Sequence, residues 1–129
     1  LPYSAELARI TQARVTLVRV IPSHFAVMAP FASHSGHGFQ GLEEEEGACR
    51  EALESEAMAL RARGLMVGTE VITGARPAEG ILDYIQGGEV DLVAMATHGR
   101  GGVARLVLGS VADKVIRGGT VPVLLHRAQ

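Results

Sequence analysis

The chain has 129 residues, of which 47% are hydrophobic and 20% charged, and its formal net charge is −2. These values predict one globular domain over residues 1–129, and the near-neutral charge argues against nucleic acid or an anionic membrane as partner. No apolar run approaches the roughly 18 residues of a membrane span, and the single cysteine, Cys49, excludes an internal disulfide and favours the cytoplasm.

The first half of the chain alternates helical and strand patterns. Apolar residues at helical spacing predict a helix over residues 3–12, and a β-branched run predicts a strand over 15–21. Residues 23–41 lack a period and are rich in Pro, Ser, His and Gly, so we expect a loop there. Residues 42–63 predict the longest helix, because consecutive glutamates open it where the helix dipole favours anions and Gly64 can cap its end.

The second half continues this alternation. Residues 65–73 predict a strand, and Pro77 opens a helix that ends at Gly87 and Gly88. Residues 90–96 predict a strand that is apolar on both faces, which is typical of parallel sheets covered on both sides.

A glycine-rich loop, a helix ending near Arg117 and a strand over residues 121–127 complete the chain. Regular alternation of helices and strands predicts an α/β fold of the Rossmann type, with an open parallel sheet, helices on both faces and right-handed crossovers.

The loop after residues 90–96 is the best candidate for a ligand site, because ligands bind outside the carboxyl ends of strands in such sheets. Gly99 allows the backbone to approach a ligand that a Cβ would block. Gly109 and Ser110 open the next helix, whose free N–H groups and positive dipole end suit a phosphate. A P-loop is excluded, since no GK[ST] follows the glycines, and a dinucleotide site is disfavoured, since the next strand ends without an acidic residue.

Several of these residues have structural alternatives. Ser110-x-x-Asp113 has the form of a capping box, in which the hydroxyl would serve the helix's own N–H groups. His98 either contacts phosphate or caps the strand end, and Arg100 either neutralises phosphate or is solvated. No Ser-His-Asp arrangement or pair of acids stands out, so we predict no catalytic residues and at most slow ATP hydrolysis.

The spacing of the glycines resembles the G-x2-G-x9-G-(S/T) signature of the universal stress protein family. Gly99 and Gly109-Ser110 match its last two elements, whereas Ala96 stands at the first glycine position. The segments AELARITQARVTLVRVIP, GARPAEGILDYI and GTVPVLLHR also resemble the family, so the resemblance covers nearly the whole chain apart from residues 23–45. We expect Ala96 to reduce the clearance for a nucleotide without blocking the site.

This resemblance implies an adenine nucleotide as ligand, namely ATP, with a cation such as Mg²⁺ held mainly by phosphates and water. It implies a sensing or regulatory role in the stress response, in which nucleotide occupancy shifts a conformational or partner equilibrium. The implied positions are Val20 and Met95 beside the base, Ala96, Thr97, His98, Gly99 and Arg100 around the ribose and phosphates, and Gly109, Ser110, Val111 and Ala112 at the start of the phosphate-binding helix.

The resemblance also implies features at both ends of the domain. The family begins with a central strand whose final aspartate contacts the nucleotide, and this chain starts within what resembles the following helix. We therefore expect roughly 15–25 further residues upstream. The last strand should lie at a sheet edge and form an antiparallel homodimer through Val121, Val123 and Leu125, with Pro122 removing one N–H donor.

Two other functions are compatible with this fold. A protein-interaction module that binds no nucleotide is favoured by Ala96 and the absent aspartate, but opposed by Gly99, Gly109 and Ser110. A subunit of a larger nucleotide-dependent enzyme, such as an electron-transfer flavoprotein, is disfavoured by the small size of the chain.

Overall fold

A computed structural model describes residues 2–22, 37–98 and 109–128. Helices and strands alternate along these ranges in the predicted order, which confirms the α/β class. The helices are α1 (Pro2–Thr11), α2 (His37–Ala62), α3 (Pro77–Gly87) and α4 (Ser110–Gly118), and the strands are β1 (Arg14–Ile21), β2 (Met66–Thr73), β3 (Val93–His98) and β4 (Val123–Ala128). Within the described ranges, no helix is both long and apolar enough to cross a membrane.

The start of α2 was predicted wrongly. The helix begins at His37 rather than at residue 42, so the consecutive glutamates lie beyond its first turn, which contains no acidic residue. Gly38 and Gly41 suggested a loop, but extending an existing helix fixes only one more residue per hydrogen bond and is therefore much less costly than nucleating one. The glutamates consequently lie on the helix body and not at its positive end.

Two helices that precede strands end in the same way. After α2, Gly64 takes a left-handed conformation with φ 89°, and its N–H donates to the carbonyl oxygen of Arg61 while that of Leu65 donates to Leu60. This is a Schellman motif, in which a left-handed residue satisfies the last helical carbonyls. After α1 the equivalent left-handed residue is Gln12, with φ 55°. The predicted glycine cap at Gly64 is thus confirmed.

The described strands form two parallel pairs, β1 with β2 and β3 with β4. Arg14 pairs with Met66 at the start of the first sheet, and Val93 pairs with Val123 at the start of the second. Within residues 2–22, 37–98 and 109–128, no strand is hydrogen-bonded to the second edge of β1 or of β3. The predicted parallel pairing is confirmed, and β4 lies at the outer edge of its sheet.

Two apolar clusters, built mostly from small and β-branched side chains, hold the helices against the strands. The first cluster joins α1 and α2 to β1 and β2, and the second joins α3 and α4 to β3 and β4. The buried members of the first are Ala5, Ala8, Ala57, Leu65 and Val67, and those of the second are Ala78, Ile85 and Val115. Val115 on α4 is 0% exposed and is therefore the anchor of the second cluster.

The strand β3 is covered less than its sequence predicted. It begins at Val93, not at residue 90, and Val93 and Met95 pack against the second cluster. Ala94 and Ala96 point to the opposite face and are exposed. The expectation of a strand buried on both faces is therefore wrong for the described part of the chain.

The helix α3 approaches the end of β1 closely. Along β1, Val15 and Leu17 pack into the first cluster, so Val20 points to the other face of the sheet. A Cβ placed on Gly80 of α3 would lie 3.2 Å from both Cγ atoms of Val20. Helices therefore cover both faces of β1, and the missing side chain of Gly80 sets how near α3 comes to the end of this strand.

Replacing Gly80 with Ala should lower the free energy of unfolding by about 1 kcal/mol, although Ala is the better helix former by roughly 0.5–1 kcal/mol. The added methyl group overpacks against the branched side chain of Val20, which has few rotamers available. Gly47 in α2 is the matched control, since no described atom lies within 4 Å of its Cβ position. Urea unfolding should rank Gly47→Ala above the wild type and Gly80→Ala below it, and an equal gain in both variants would contradict the close approach.

Candidate functional site

The candidate site predicted from the sequence comprises the carboxyl ends of β1 and β3 and the start of α4. In the register of the second sheet, Met95 pairs with Leu125 and Ala96 with His126. Ligands in open α/β sheets bind at this end. Gly99 and Arg100 lie outside the described residues, so their predicted roles stay predictions.

Gly109 is the residue that leads into α4. Its φ of −58° and ψ of 154° are accessible to any residue with a side chain. A Cβ at Gly109 would meet no described atom within 4 Å, and the residue is exposed. Neither backbone strain nor packing within the described chain therefore accounts for a glycine here. What the glycine provides is open space in front of the helix.

Ser110 is the first residue of α4 and is exposed. The capping-box interpretation of Ser110 is wrong, because Gly109 occupies the N-cap position and no side chain within residues 2–22, 37–98 and 109–128 caps the helix. The carboxylate of Asp113 instead accepts a hydrogen bond from Nε of Arg117 at 2.9 Å. Among the described residues, no side chain therefore caps the first N–H groups of α4, and Ser110 is exposed at the same end.

The residues that follow hold α4 in place. Ala112 is 4% exposed, and Val111 is half-buried against the second cluster together with Val115. The backbone N–H of Asp113 donates to the carbonyl oxygen of Gly109 at 3.0 Å, which closes the first helical turn. Apolar contacts along one face therefore fix the direction in which the open end of α4 points.

The two side chains predicted beside the base are engaged elsewhere. Met95 packs against the second cluster, and Val20 packs against Gly80. Val20 is the last residue but one of β1, whereas Met95 lies in the middle of β3, so their predicted place beside the base stays a prediction. Ala96 is exposed on the opposite face of β3, and Thr97 and His98 continue the strand rather than forming the loop that we predicted.

Sequence reasoning did not single out His126. It pairs with Ala96 across the parallel ladder, so the two side chains share one face of the sheet. The ring of Tyr3 on α1 lies 5.2 Å from the ring of His126, with the ring planes tilted by 57°. The period of β4 gives the face of His126, but no sequence signal gives its register against β3 or its contact with α1.

The described residues contain no group of three or more His, Cys, Asp or Glu side chains that could hold a metal ion. The ion pairs of the described chain lie on helix surfaces, between Glu6 and Arg9 and between Asp113 and Arg117 among others. The hydrogen bond from Arg9 lowers the pKa of Glu6 below its ordinary value.

Comparison with known proteins gives a consistent match. The model of the universal stress protein family matches residues 1–127. The chain is 37% identical over 84 residues to universal stress protein MJ0531 of Methanocaldococcus jannaschii, covering 65% of this chain and 48% of that protein. It is 42% identical over 77 residues to a universal stress protein of Thermus aquaticus, covering 60% of this chain and 55% of that protein. The chain thus spans about half the length of the curated relatives that it matches.

The fold is similar to that of solved structures. Universal stress protein UspA from Lactobacillus plantarum superposes with a TM-score of 0.74 over 98% of this chain and 86% of its own, at 22% sequence identity. A structure of a universal stress protein from Archaeoglobus fulgidus superposes with a TM-score of 0.71 over 95% of this chain and 83% of its own, also at 22% identity. At these identities the likeness establishes the fold alone.

Replacing Ser110 with Ala should change the free energy of unfolding by less than about 0.5 kcal/mol, because the hydroxyl caps no N–H group in the structure. Loss of a side-chain cap from an N-terminus costs typically about 1 kcal/mol. Thermal and urea unfolding of the two proteins measure the difference. A loss of about 1 kcal/mol or more would restore the capping interpretation.

Proposed function

The chain belongs to the universal stress protein family, and from this we propose that it binds an adenine nucleotide, ATP, with the phosphates at the start of α4. The observation that carries the proposal is the exposed beginning of α4 at Gly109 and Ser110, which no side chain in the described part of the chain caps. Free N–H groups and the positive end of the helix dipole favour an anion there. The match of Gly99 and Gly109-Ser110 to the family's signature is the reason to propose that this anion is the phosphate of a nucleotide.

The alanine at the first glycine position is compatible with this proposal. Ala96 is exposed on its face of β3, and its side chain is a single methyl group. The base would lie along the ends of β1 and β3, near Val20 and Met95, whose side chains are held by Gly80 and by the second cluster. Preorganised strand ends reduce the ordering that binding requires.

The proposed role is regulatory and belongs to the stress response, in which bound nucleotide biases a conformational or partner equilibrium. A divalent cation such as Mg²⁺ would be held by the phosphates and water, because it keeps several waters and uses few protein ligands. Because the sequence offers no evident general base at the site, we expect hydrolysis to be slow. We propose the cytoplasm as the compartment.

A substitution at Gly109 separates binding from helix stability. Asp is a good N-cap residue, so Gly109→Asp should keep or raise the stability of α4, while its charge repels a phosphate at the same place. The matched control is Gly109→Asn, which has nearly the same size and capping ability but no charge. In calorimetric titrations with ATP and Mg²⁺, the dissociation constant of Gly109→Asp should exceed that of Gly109→Asn by about tenfold or more, about 1.4 kcal/mol.

Two results would contradict the proposal. Equal affinities of the Asp and Asn variants would place the phosphates away from α4. Absence of binding to the full-length wild-type protein at millimolar ATP would favour the protein-interaction module instead. A purified protein without colour would exclude a bound flavin.

We also propose a homodimer through the outer edge of β4. The N–H of Val93 donates to the carbonyl oxygen of Pro122 at 3.0 Å, so the backbone of Pro122 faces β3. Because backbone groups alternate in direction along a strand, those of Val123 and Leu125 face the free edge. The donor that Pro122 lacks is therefore missing on the inner side, where it does not weaken an antiparallel ladder between copies. The side chains of Val121 and Val123 pack in the second cluster, which leaves the backbone as the main source of such pairing.

Leu125 offers a test of this dimer. Leu125→Pro removes the N–H at the free edge, and Leu125→Ala shortens the same side chain but keeps that donor. Light scattering after size exclusion should give a dimer for the wild type and the Ala variant and a monomer for the Pro variant, with circular dichroism confirming that all three fold. A dimer that survives Leu125→Pro would place the interface elsewhere.

A further inference from the structure

The first half of α4 carries a charge that opposes the proposed ligand. Asp113 lies in the first turn, where its backbone N–H reaches back to Gly109. It stands three residues beyond Ser110, which is roughly 4.5 Å along the helix axis. A carboxylate in a first turn is attracted to the same positive helix end that would receive a phosphate. The helix cannot rotate to move this charge away, since Ala112 and Val115 are buried.

One cation meets this carboxylate directly. Nε of Arg117 donates to Oδ1 of Asp113 at 2.9 Å, with exposed side-chain fractions of 79% and 42%. The hydrogen bond to Asp113 raises the pKa of Arg117 above its ordinary value, and a guanidinium is charged at neutral pH in any case.

The position of Arg117 limits what it can do by itself. It lies seven residues beyond Ser110, which is roughly 10 Å along the axis, and salt screens exposed charges over about 10 Å at 0.1 M ionic strength. A direct attraction between Arg117 and a phosphate in front of the helix is therefore weak. Its effect on the carboxylate that it touches is much stronger.

We propose that Arg117 is a positioning residue for the phosphate site, which acts through Asp113. It holds the carboxylate against the side of α4 and offsets its charge, and so leaves the positive end of the helix to the ligand. This inference rests on the proposed function, because it assumes that phosphates bind at the start of α4.

Four proteins test this coupling: the wild type, Arg117→Gln, Asp113→Asn and the double variant. Titration with ATP and Mg²⁺ at low ionic strength should show that Arg117→Gln raises the dissociation constant about two- to fivefold. Asp113→Asn should bind as tightly as the wild type or more tightly. In the Asp113→Asn background, the same Arg117 substitution should have no effect, because there is no carboxylate left to offset.

Lys114 provides a control on the same helix. It is exposed and lies nearer to the start of α4 than Arg117, so Lys114→Gln removes one positive charge without breaking the pair. Its effect on the dissociation constant should be the same with Asp113 and with Asn at that position. Unfolding curves for all variants establish whether α4 itself has been weakened. If the pair were merely structural, Arg117→Gln would weaken α4, and Asp113→Asn would not restore the affinity for ATP.

The outcomes separate the two proposals. If the wild type binds ATP and Arg117→Gln weakens binding equally in both backgrounds, Arg117 acts directly and this inference is wrong. If the wild type binds ATP and Arg117→Gln has no effect, the pair has no part in binding. If the full-length wild type does not bind ATP, the proposed function itself fails.

Discussion

The burial of Val115 is the constraint on which the candidate site depends. This side chain is 0% exposed and joins α4 to α3 and to the strands β3 and β4. Because α4 is short, one deeply buried contact and its neighbours Val111 and Ala112 set both its position and its rotation. The direction of the helix start is therefore set by packing along the buried face of α4, while Gly109 and Ser110 at that start are exposed.

The same arrangement explains why small residues occur where the elements approach one another. Gly80 allows α3 to lie against Val20, and a Cβ on Gly118 of α4 would come within 3.0 Å of Cδ1 of Leu82 on α3. Close approach at these points holds α3 against β1 and α4 against α3. Close packing of this kind transmits small displacements between elements, because a well-packed interior has few voids to absorb them.

Much of the fold follows from local patterns, and the failures have identifiable causes. The order of elements, the glycine cap at Gly64 and the first-position proline of α3 were predicted, because each depends on the residues at that point alone. The start of α2 was not predicted, because two glycines suggested a loop where the helix extends from the residues that follow them. The start of β3 depends on its pairing with Pro122, and the contact of His126 with Tyr3 depends on the register of β4 against β3. The sequence of one strand alone contains neither the pairing nor the register. Ser110 was ambiguous because capping and anion binding favour the same residue types.

The division of the core has a consequence for how the molecule opens. The two apolar clusters belong to different sheets, and within the described ranges the contact of Gly80 with Val20 and that of Tyr3 with His126 connect them. Cooperative unfolding follows contiguous buried contacts, so each half is expected to behave as its own unit of hydrogen exchange. A ligand that touched the ends of both β1 and β3 would couple the two units. Its binding would then slow the exchange of amide hydrogens also in the half of the protein that does not contact the phosphates.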